Sequence, residues 1–154
     1  MATEIVSMYG NKVRLRVCGL CWSDDDLLMV NHSSLTSGDF WAPPGGGVEF
    51  GETAEETLKR EFLEETNLTI IPGPFLFACE FIKDPLHAVE LFFAINQFSG
   101  ELKTGSDPEL QIIRQVSFQS PGKLWGKPPD HLHGIFKIAR NPDELRKLSG
   151  FYTI

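Results

Sequence analysis

The sequence predicts an α+β protein in which strands and a few helices share one core. Several segments alternate apolar and polar residues with the two-residue period of a strand, and one segment carries both the start and the stop signal of a helix. The chain has 154 residues, 42% of them apolar, which is enough for one core and leaves no room for a second full domain. We therefore expect one domain spanning residues 1–154.

The first half of the chain opens with a predicted hairpin. Apolar and polar side chains alternate over residues 13–21, residues 23–26 are typical of a turn, and the apolar run 27–30 forms the returning strand. Residues 32–39 are expected to form a polar loop, and the Pro- and Gly-rich segment 43–47 is expected to bring its backbone close to another group. Four further segments have a strand-like composition: residues 68–71, 75–83, 87–98 and 111–118.

The best-defined helix follows the glycine-rich segment. Thr53 and Glu56 form the pattern of a capping box, so the helix is expected to begin there and to run to Thr66. Asn67 occupies the position at which helices end in the left-handed conformation, which favours Gly first and Asn second. Four apolar side chains are expected on the inner face: Ala54, Leu58, Phe62 and Leu63.

The last part of the chain carries weaker helical patterns. We expect a loop over residues 121–130 and a helix over residues 130–139. Asn141 followed by Pro142 indicates a further helix start, and Gly150 indicates its end.

The charge balance excludes one class of partner. Fourteen basic against 21 acidic side chains give a net charge of -7, so the cationic surface of a protein that binds polymeric nucleic acid is missing. No run approaches the roughly 18 apolar residues that span a bilayer, and the first residues lack the pattern of a signal peptide. We expect a cytoplasmic protein with no membrane partner.

The spacing of the cysteine and histidine residues along the chain does not match that of a metal site. Cys18 and Cys21 match a C-x-x-C pattern, but residues three apart in a strand point to opposite faces and there is no second pair. Together with Cys79 they are expected to be buried strand cysteines rather than a zinc or redox site. Three histidines are expected at surface or loop positions: His87, His131 and His133.

The most acidic part of the chain is residues 46–68, which hold seven Glu against two basic residues. On the predicted helix, the spacing of Arg60, Glu61, Glu64 and Glu65 brings all four side chains to one side. Hard oxygen ligands held in this way suit Mg²⁺ or Mn²⁺ together with substrate phosphates, and an arginine can orient such carboxylates bidentately. A solvated helix face is the alternative interpretation.

Residues 46–68 resemble the Nudix box, whose family pattern is G-x5-E-x7-R-E-U-x-E-E-x-G-U, with U a bulky aliphatic residue. Every charged position of the pattern matches, whereas Asn67 stands in place of the usual Gly and Phe62 in place of the aliphatic residue. Asn tolerates a positive φ at modest cost and Phe62 keeps an apolar side chain, so we expect slight destabilisation and intact chemistry.

The resemblance implies a mixed β-sheet sandwiched between helices, an α/β/α arrangement, and hydrolysis of a nucleoside diphosphate linked to another moiety. Arg60 and Glu52 would form an ion pair that orients the metal ligands. Carried over by position, the ligands of Mg²⁺, with Mn²⁺ as the alternative ion, are Gly46, Glu61, Glu64 and Glu65.

Three further roles have candidates: the base, the aromatic plate and the phosphate contacts. Attack by water on a pyrophosphate phosphorus requires a base, for which the resemblance leaves Glu61 and Glu109 as candidates. Trp41 is a candidate aromatic plate for the other moiety, with core packing as the alternative. Arg14 and Arg16 on the polar face of the first strand are candidates for phosphate contacts, with a role in solubility as the alternative.

The expected substrate is a small nucleotide, such as a nucleoside triphosphate, ADP-ribose or a nucleotide sugar. A catalytically silent nucleotide-binding or regulatory module is the alternative, for which a lost Glu61, Glu64 or Glu65 would be expected, and all three are present. Members of the family often form dimers, and the sequence leaves a homodimer open.

Overall fold

The computed structural model describes residues 3–33, 38–105 and 112–154. The elements within these residues are α1 (Thr3–Tyr9), β1 (Lys12–Leu20), β2 (Trp22–Ser23), β3 (Asp26–His32), β4 (Phe40–Ala42), β5 (Gly45–Gly47), α2 (Ala54–Thr66), β6 (Thr69–Lys83), β7 (Leu86–Ser99), β8 (Ile113–Gln119), α3 (Pro121–Trp125), a 3₁₀ turn (Pro129–His131), α4 (Ile135–Ile138), α5 (Pro142–Arg146) and β9 (Gly150–Thr153).

The strands divide between two sheets. The larger sheet has the order β5-β1-β7-β6-β9 and is mixed, since β1 runs parallel to β7 while β5 and β6 run antiparallel to their neighbours β1 and β7. The smaller sheet is antiparallel, with β3 paired to β2, β4 and β8. Mixed sheets flanked by helices confirm the α+β sandwich expected from the sequence.

Two clusters of buried side chains lie on opposite faces of the larger sheet. On one face, Leu58 and Phe62 of α2 pack with Val17 of β1. On the other face, the stacked rings of Phe77 and Phe92, with centroids 4.6 Å apart, pack with residues of the C-terminal helices. The helix α2 therefore lies on one side of the sheet and the C-terminal segment on the other.

The three cysteines are buried strand residues, as expected. Cys18 belongs to the cluster beneath the C-terminal helices and Cys21 to the cluster beneath α2, so their side chains point to opposite faces. Burial raises the pKa of Cys18 and Cys79 well above the usual range for a thiol and raises the pKa of Cys21 to about 12. All three are free thiols.

The ends of α2 lie where the sequence placed them. Thr53 accepts a hydrogen bond from the Glu56 amide, and the Glu56 carboxylate accepts one from the Thr53 amide, which completes a capping box. Asn67 has φ 66° and ends the helix in the left-handed conformation. The prediction that Leu63 lies on the inner face is wrong: it is 55% exposed, because one step along a helix from buried Phe62 turns the side chain about 100° away from the core.

Two predicted boundaries differ from the structure. The predicted segments 68–71 and 75–83 are not separate strands: β6 runs through residues 72–74, because shifts of register on either side of Pro72 accommodate the proline. The helix expected over residues 130–139 is interrupted at Leu132, which is extended and forms a β-bridge with Trp41.

Four short elements lie near the ends of the chain. Ser120 caps α3 within a predicted loop, and Asn141 caps α5 as expected. Gly150, expected to end a helix, begins β9 with φ 86°, and α1 occupies a segment for which no helix was predicted. Within the described residues, no helix has the length and apolar character needed to cross a membrane.

Candidate functional site

The glycine strand β5 lies directly against the carboxylates of α2. The Gly45 amide donates a hydrogen bond to Glu65 Oε1 over 2.9 Å. A Cβ atom built on Gly46 would overlap the Glu61 carboxylate, so only glycine lets this carboxylate come so close to the backbone. The close approach expected of the glycine-rich segment is therefore made by two of the helix glutamates.

Arg60 lies at the centre of a cluster that we call the carboxylate cluster, formed with Glu52, Glu61, Glu64 and Glu65. Its guanidinium donates to both oxygens of Glu52, over 2.7 and 2.9 Å. It also donates to Glu61 over 2.9 Å, to Glu64 over 3.4 Å and to the Gly47 carbonyl over 3.2 Å. One cation thus fixes side chains from α2 and from the turn before it.

The ion pair between Arg60 and Glu52 is strong. The hydrogen bonds from Arg60, with those from the Glu49 amide and the Thr57 hydroxyl, lower the pKa of Glu52 to about 2. Hydrogen bonding to Glu52 and the charge of Glu61 raise the pKa of Arg60 above its already high ordinary value. Both groups are therefore charged at neutral pH.

The donor set of the carboxylate cluster fits a divalent cation. Glu61 is 1% exposed and Glu65 is fully buried, an environment in which carboxylates are retained when they are paired or bind metal. The cluster holds four carboxylates against the single positive charge of Arg60, and its donors are hard oxygens of the kind that Mg²⁺ prefers.

A cavity of about 450 Å³ is lined by none of the cluster residues but reaches His32, which lies beside Glu65. Its wall is formed by α1, β1, β6, β7 and the segment around the 3₁₀ turn, with aromatic side chains that include Tyr9, Phe40 and Phe81. His32, at the end of β3, lines this cavity, and its Nε2 atom lies 3.9 Å from Glu65 Oε2. His32 therefore lies between the cavity and the carboxylate cluster.

His32 is buried and neutral. It is 6% exposed, and burial together with the charge of Arg16 lowers its pKa to about 4. Among the described residues, no group forms a hydrogen bond with its Nδ1 atom.

Arg14 and Arg16 both line the cavity, and both are engaged there. The guanidinium of Arg14 lies over the Tyr9 ring, 3.7 Å from its centroid. Arg16 Nε lies 3.5 Å from Glu90 Oε2. Arg16 lies where β1 is paired on both sides, with β5 and β7, so it does not protect a sheet edge, whereas Arg14 lies beyond the residues that pair with β5.

Trp41 lies in the core rather than on the cavity wall. It is 6% exposed, and the Lys127 ammonium lies 4.4 Å from the centroid of its ring. Trp41 therefore occupies the core position that was the alternative to an aromatic plate. The aromatic side chains that line the cavity include Tyr9, Phe40 and Phe81. Glu109 lies outside the described residues.

A second buried cluster joins Cys79, Glu90 and His133 at the cavity wall, with potential ligand atoms all within 4.8 Å of one another. His133 Nε2 lies 2.7 Å from Glu90 Oε1, while His133 Nδ1 accepts the amide proton of Ile135 over 3.2 Å. Accepting at Nδ1 places the ring proton on Nε2, facing Glu90, so Nε2 is a donor rather than a metal ligand. We interpret this cluster as a buried hydrogen-bonded pair.

This pair corrects the expectation for His133 and contains Glu90, a residue that the sequence analysis did not single out. His133 lies in the loop before α4, as one of the two predicted positions has it, but it is not at the surface, because Glu90 holds it at 6% exposure. Glu90 itself was readable as a lone charge between the apolar residues Val89 and Leu91 of a strand. Burial alone would raise the pKa of Glu90, but His133 and Arg16 lower it to about 2.

Comparison with known proteins decides the family. The model of the NUDIX domain matches residues 12–140. The chain belongs to the Nudix family. An ADP-ribose pyrophosphatase of Methanocaldococcus jannaschii is 34% identical over 93 residues, which cover 59% of this chain and 55% of that protein. This chain thus spans about half the length of that relative.

Solved Nudix structures share the fold. A MutT NUDIX hydrolase from Burkholderia pseudomallei superposes with a TM-score of 0.71 at 20% identity, covering 89% of this chain and 98% of that one. The MutT protein of Methanosarcina mazei Go1 gives a TM-score of 0.69 at 22% identity, covering 89% and 93%. At these identities, the likeness establishes the Nudix fold alone.

Proposed function

We propose that the protein is a divalent-metal-dependent pyrophosphohydrolase that cleaves a nucleoside diphosphate linked to another moiety. The observation that carries this proposal is the contact of Glu61 and Glu64 with Arg60, while the Gly45 amide holds Glu65 on the same helix. A cavity large enough for part of a nucleotide reaches His32, which lies beside Glu65. Membership of the Nudix family supports the reaction class.

The residues proposed to hold the cation are Glu61, Glu64 and Glu65, with the carbonyl of Gly46. When bound there, Mg²⁺ (or Mn²⁺) supplies neutralisation of the diphosphate charge and activation of the attacking water. The backbone of β5 positions two of these carboxylates. The Gly45 amide donates to Glu65, and Gly46 packs closely against Glu61.

The other residues of the cluster act on the carboxylates. Arg60 holds Glu61 and Glu64 in one orientation, and Glu52 fixes Arg60 from the opposite side through two hydrogen bonds. We propose Glu61 or Glu109 as the base that takes the proton of the attacking water. Arg14 and Arg16 on the cavity wall are proposed to contact substrate phosphate.

ADP-ribose is the first substrate to test. The support for it is the name of the 34% identical relative, which this chain matches over about half of that protein's length. The cavity of about 450 Å³ with aromatic and cationic walls is compatible with the nucleoside or sugar part of such a molecule.

The experiment is product release from ADP-ribose, nucleoside triphosphates, nucleotide sugars and dinucleoside polyphosphates, with Mg²⁺ and with EDTA. We expect one substrate to be turned over far better than the rest and EDTA to abolish the reaction. Absence of turnover on every substrate, with metal bound and the fold intact, would favour a nucleotide-binding module instead. The cytoplasmic location, the single domain and the homodimer stay predictions.

A further inference from the structure

The helix α1 forms one side of the cavity. Two of its side chains, Ile5 and Tyr9, line the cavity, and both are buried, at 2% and 6% exposure. They are four residues apart on the helix and therefore lie on the same face of it. Within the part of the chain that the structure describes, neither side chain belongs to the two clusters that pack on the larger sheet. The buried face of α1 thus lies against the cavity.

Contacts with the larger sheet hold α1 in this position. The Arg14 guanidinium of β1 lies over the Tyr9 ring, 3.7 Å from its centroid. Just after the helix, the Asn11 amide donates to the Pro85 carbonyl over 2.8 Å, which connects the chain to the turn between β6 and β7. The side of the cavity that α1 forms is therefore positioned by the protein itself.

This side of the cavity is separated from the proposed metal site by the length of a short stretch of β1. Val17 pairs with Gly46, whose carbonyl is a proposed ligand, and Arg14 lies three residues before Val17. At about 3.3 Å per strand residue, Arg14 is displaced about 10 Å along β1 from Gly46. Tyr9, which contacts Arg14, lies at that end of the cavity. This distance is available to the group that a ligand extends into the cavity from a diphosphate at the carboxylate cluster.

The volume of the cavity also indicates room for one such group. About 450 Å³ is near the lower end of the roughly 300–1,000 Å³ that is usual for ligand pockets. The helix α1 precedes residues 12–140, which the model of the NUDIX domain matches. This part of the wall is therefore supplied from outside the matched domain.

We propose that Ile5 and Tyr9 are specificity-determining residues, which limit the size of the group that the substrate inserts into the cavity. The inference rests on the proposed function, which places the diphosphate at the carboxylate cluster. Its physical basis is packing, because a group that overlaps a side chain in a closely packed site is rejected and a smaller side chain admits it. Ile5 is the better position for a test, since Tyr9 also contacts Arg14, a proposed phosphate contact.

The test uses ADP-ribose and two enlarged analogues, one with a benzyl group on N6 of the adenine and one with a benzyl group on the terminal sugar. Ile5→Ala enlarges the cavity, and Ile5→Phe fills it. Met8→Ala and Met8→Phe are the matched controls on the same helix, because Met8 is 42% exposed and is not among the residues that line the cavity. Thermal unfolding verifies that each variant is folded.

We expect wild type to have a kcat/KM about 10- to 100-fold lower for one enlarged analogue than for ADP-ribose. Ile5→Ala should recover about tenfold or more on that analogue while losing activity on ADP-ribose. Ile5→Phe should lose about tenfold on ADP-ribose, and both Met8 variants should behave as wild type.

The ratio of the two kcat/KM values isolates the size limit, because a merely destabilised helix lowers both values together. Ile5→Val removes one methyl group and should change the ratio in the same direction by a smaller factor, which keeps the test decisive if Ile5→Ala does not fold. An unchanged ratio in the folded Ile5 variants, or wild-type indifference to both benzyl groups, would overturn the inference.

A binding readout separates this inference from the proposed activity. Calorimetry with the α,β-methylene analogues of the same three ligands and Mg²⁺ measures the size limit without hydrolysis. A discrimination in binding that Ile5→Ala removes, without hydrolysis of ADP-ribose, would leave the size limit standing and remove the proposed function. Hydrolysis with the same discrimination in wild type and Ile5→Ala would do the reverse. Binding of none of the three ligands would overturn both.

Discussion

Arg60 holds both carboxylate oxygens of Glu52, with Nε 2.7 Å from Oε2 and Nη2 2.9 Å from Oε1. This planar, two-pronged contact uses one side of the guanidinium, and Nη1 is left to reach Glu61 and Glu64. The orientation of two proposed metal ligands thus depends on a pair that does not itself bind the metal.

The first prediction concerns that dependence. Arg60→Lys keeps the positive charge and loses the planar fork, so kcat/KM should fall about 10- to 100-fold and more Mg²⁺ should be needed for activity. Thermal stability in EDTA should fall as well, because the paired hydrogen bonds to Glu52 are lost. Lys59→Ala is the control, because Lys59 forms an exposed ion pair with Glu55 on the same helix. Full activity of Arg60→Lys at low Mg²⁺ would show that the fork is not needed.

The second prediction concerns acid stability. The pKa of Glu52 is lowered from 4.5 to about 2 by the hydrogen bonds of Arg60, so its stabilising contribution is present above about pH 4.5 and is lost as the pH falls toward 2. The difference in melting temperature between wild type and Glu52→Gln should therefore shrink over this range in EDTA. A difference that stays constant from pH 6 to about 2.5 would contradict the lowered pKa.

The third prediction concerns metal binding without substrate. Mg²⁺ that binds only the folded state should raise the free energy of unfolding by about 2.7 kcal/mol at a hundredfold excess over its dissociation constant. Glu65→Gln should abolish this gain and reduce activity at least about 100-fold. Glu55→Gln, on the exposed side of the same helix, should keep both. Loss of the Mg²⁺ effect in Glu55→Gln as well would indicate non-specific binding.

The fourth prediction concerns the end of α2. Asn67 adopts φ 66°, and its side chain donates to the Glu101 carbonyl over 2.8 Å. Asn67→Ala loses this bond and places a Cβ-bearing residue without local compensation in the left-handed region, so urea unfolding should show a loss of about 1–2 kcal/mol. Asn67→Gly relieves the backbone and loses the bond, and should lie within about 1 kcal/mol of wild type. An Ala variant as stable as the Gly variant would refute this account.

The part of the site that the sequence predicted is the part whose signals are local. Thr53, Glu56 and Asn67 determine the ends of α2 by their own hydrogen bonds and backbone conformation. Given a helix, the spacing of Arg60, Glu61 and Glu64 brings their side chains together with no further information. The same argument explains why the close approach of the glycine-rich segment was predictable. The predicted first hairpin is right only in its turn: β1 (Lys12–Leu20) belongs to the larger sheet, and the strand that pairs with β3 across the turn is the short β2.

The cavity side of the site has no such local signal. Glu90 and His133 are 43 residues apart in the sequence. They meet because the segment before α4 packs against the face of the sheet on which the Glu90 side chain of β7 lies. His32 ends a buried strand in a pattern that looks like the start of a loop. The short elements α1 and β9 were missed because contacts with the rest of the fold, rather than their own propensities, hold them in place.

The burial of all three cysteines makes the native chain unreactive toward thiol reagents. Each thiol is at most 2% exposed and has a raised pKa, so very little thiolate is available for alkylation in the folded state. A single cysteine introduced at an exposed position can then be labelled selectively, and the three native cysteines need not be replaced. Leu63→Cys would place such a label on α2 beside Glu64, where a fluorophore reports ion binding directly.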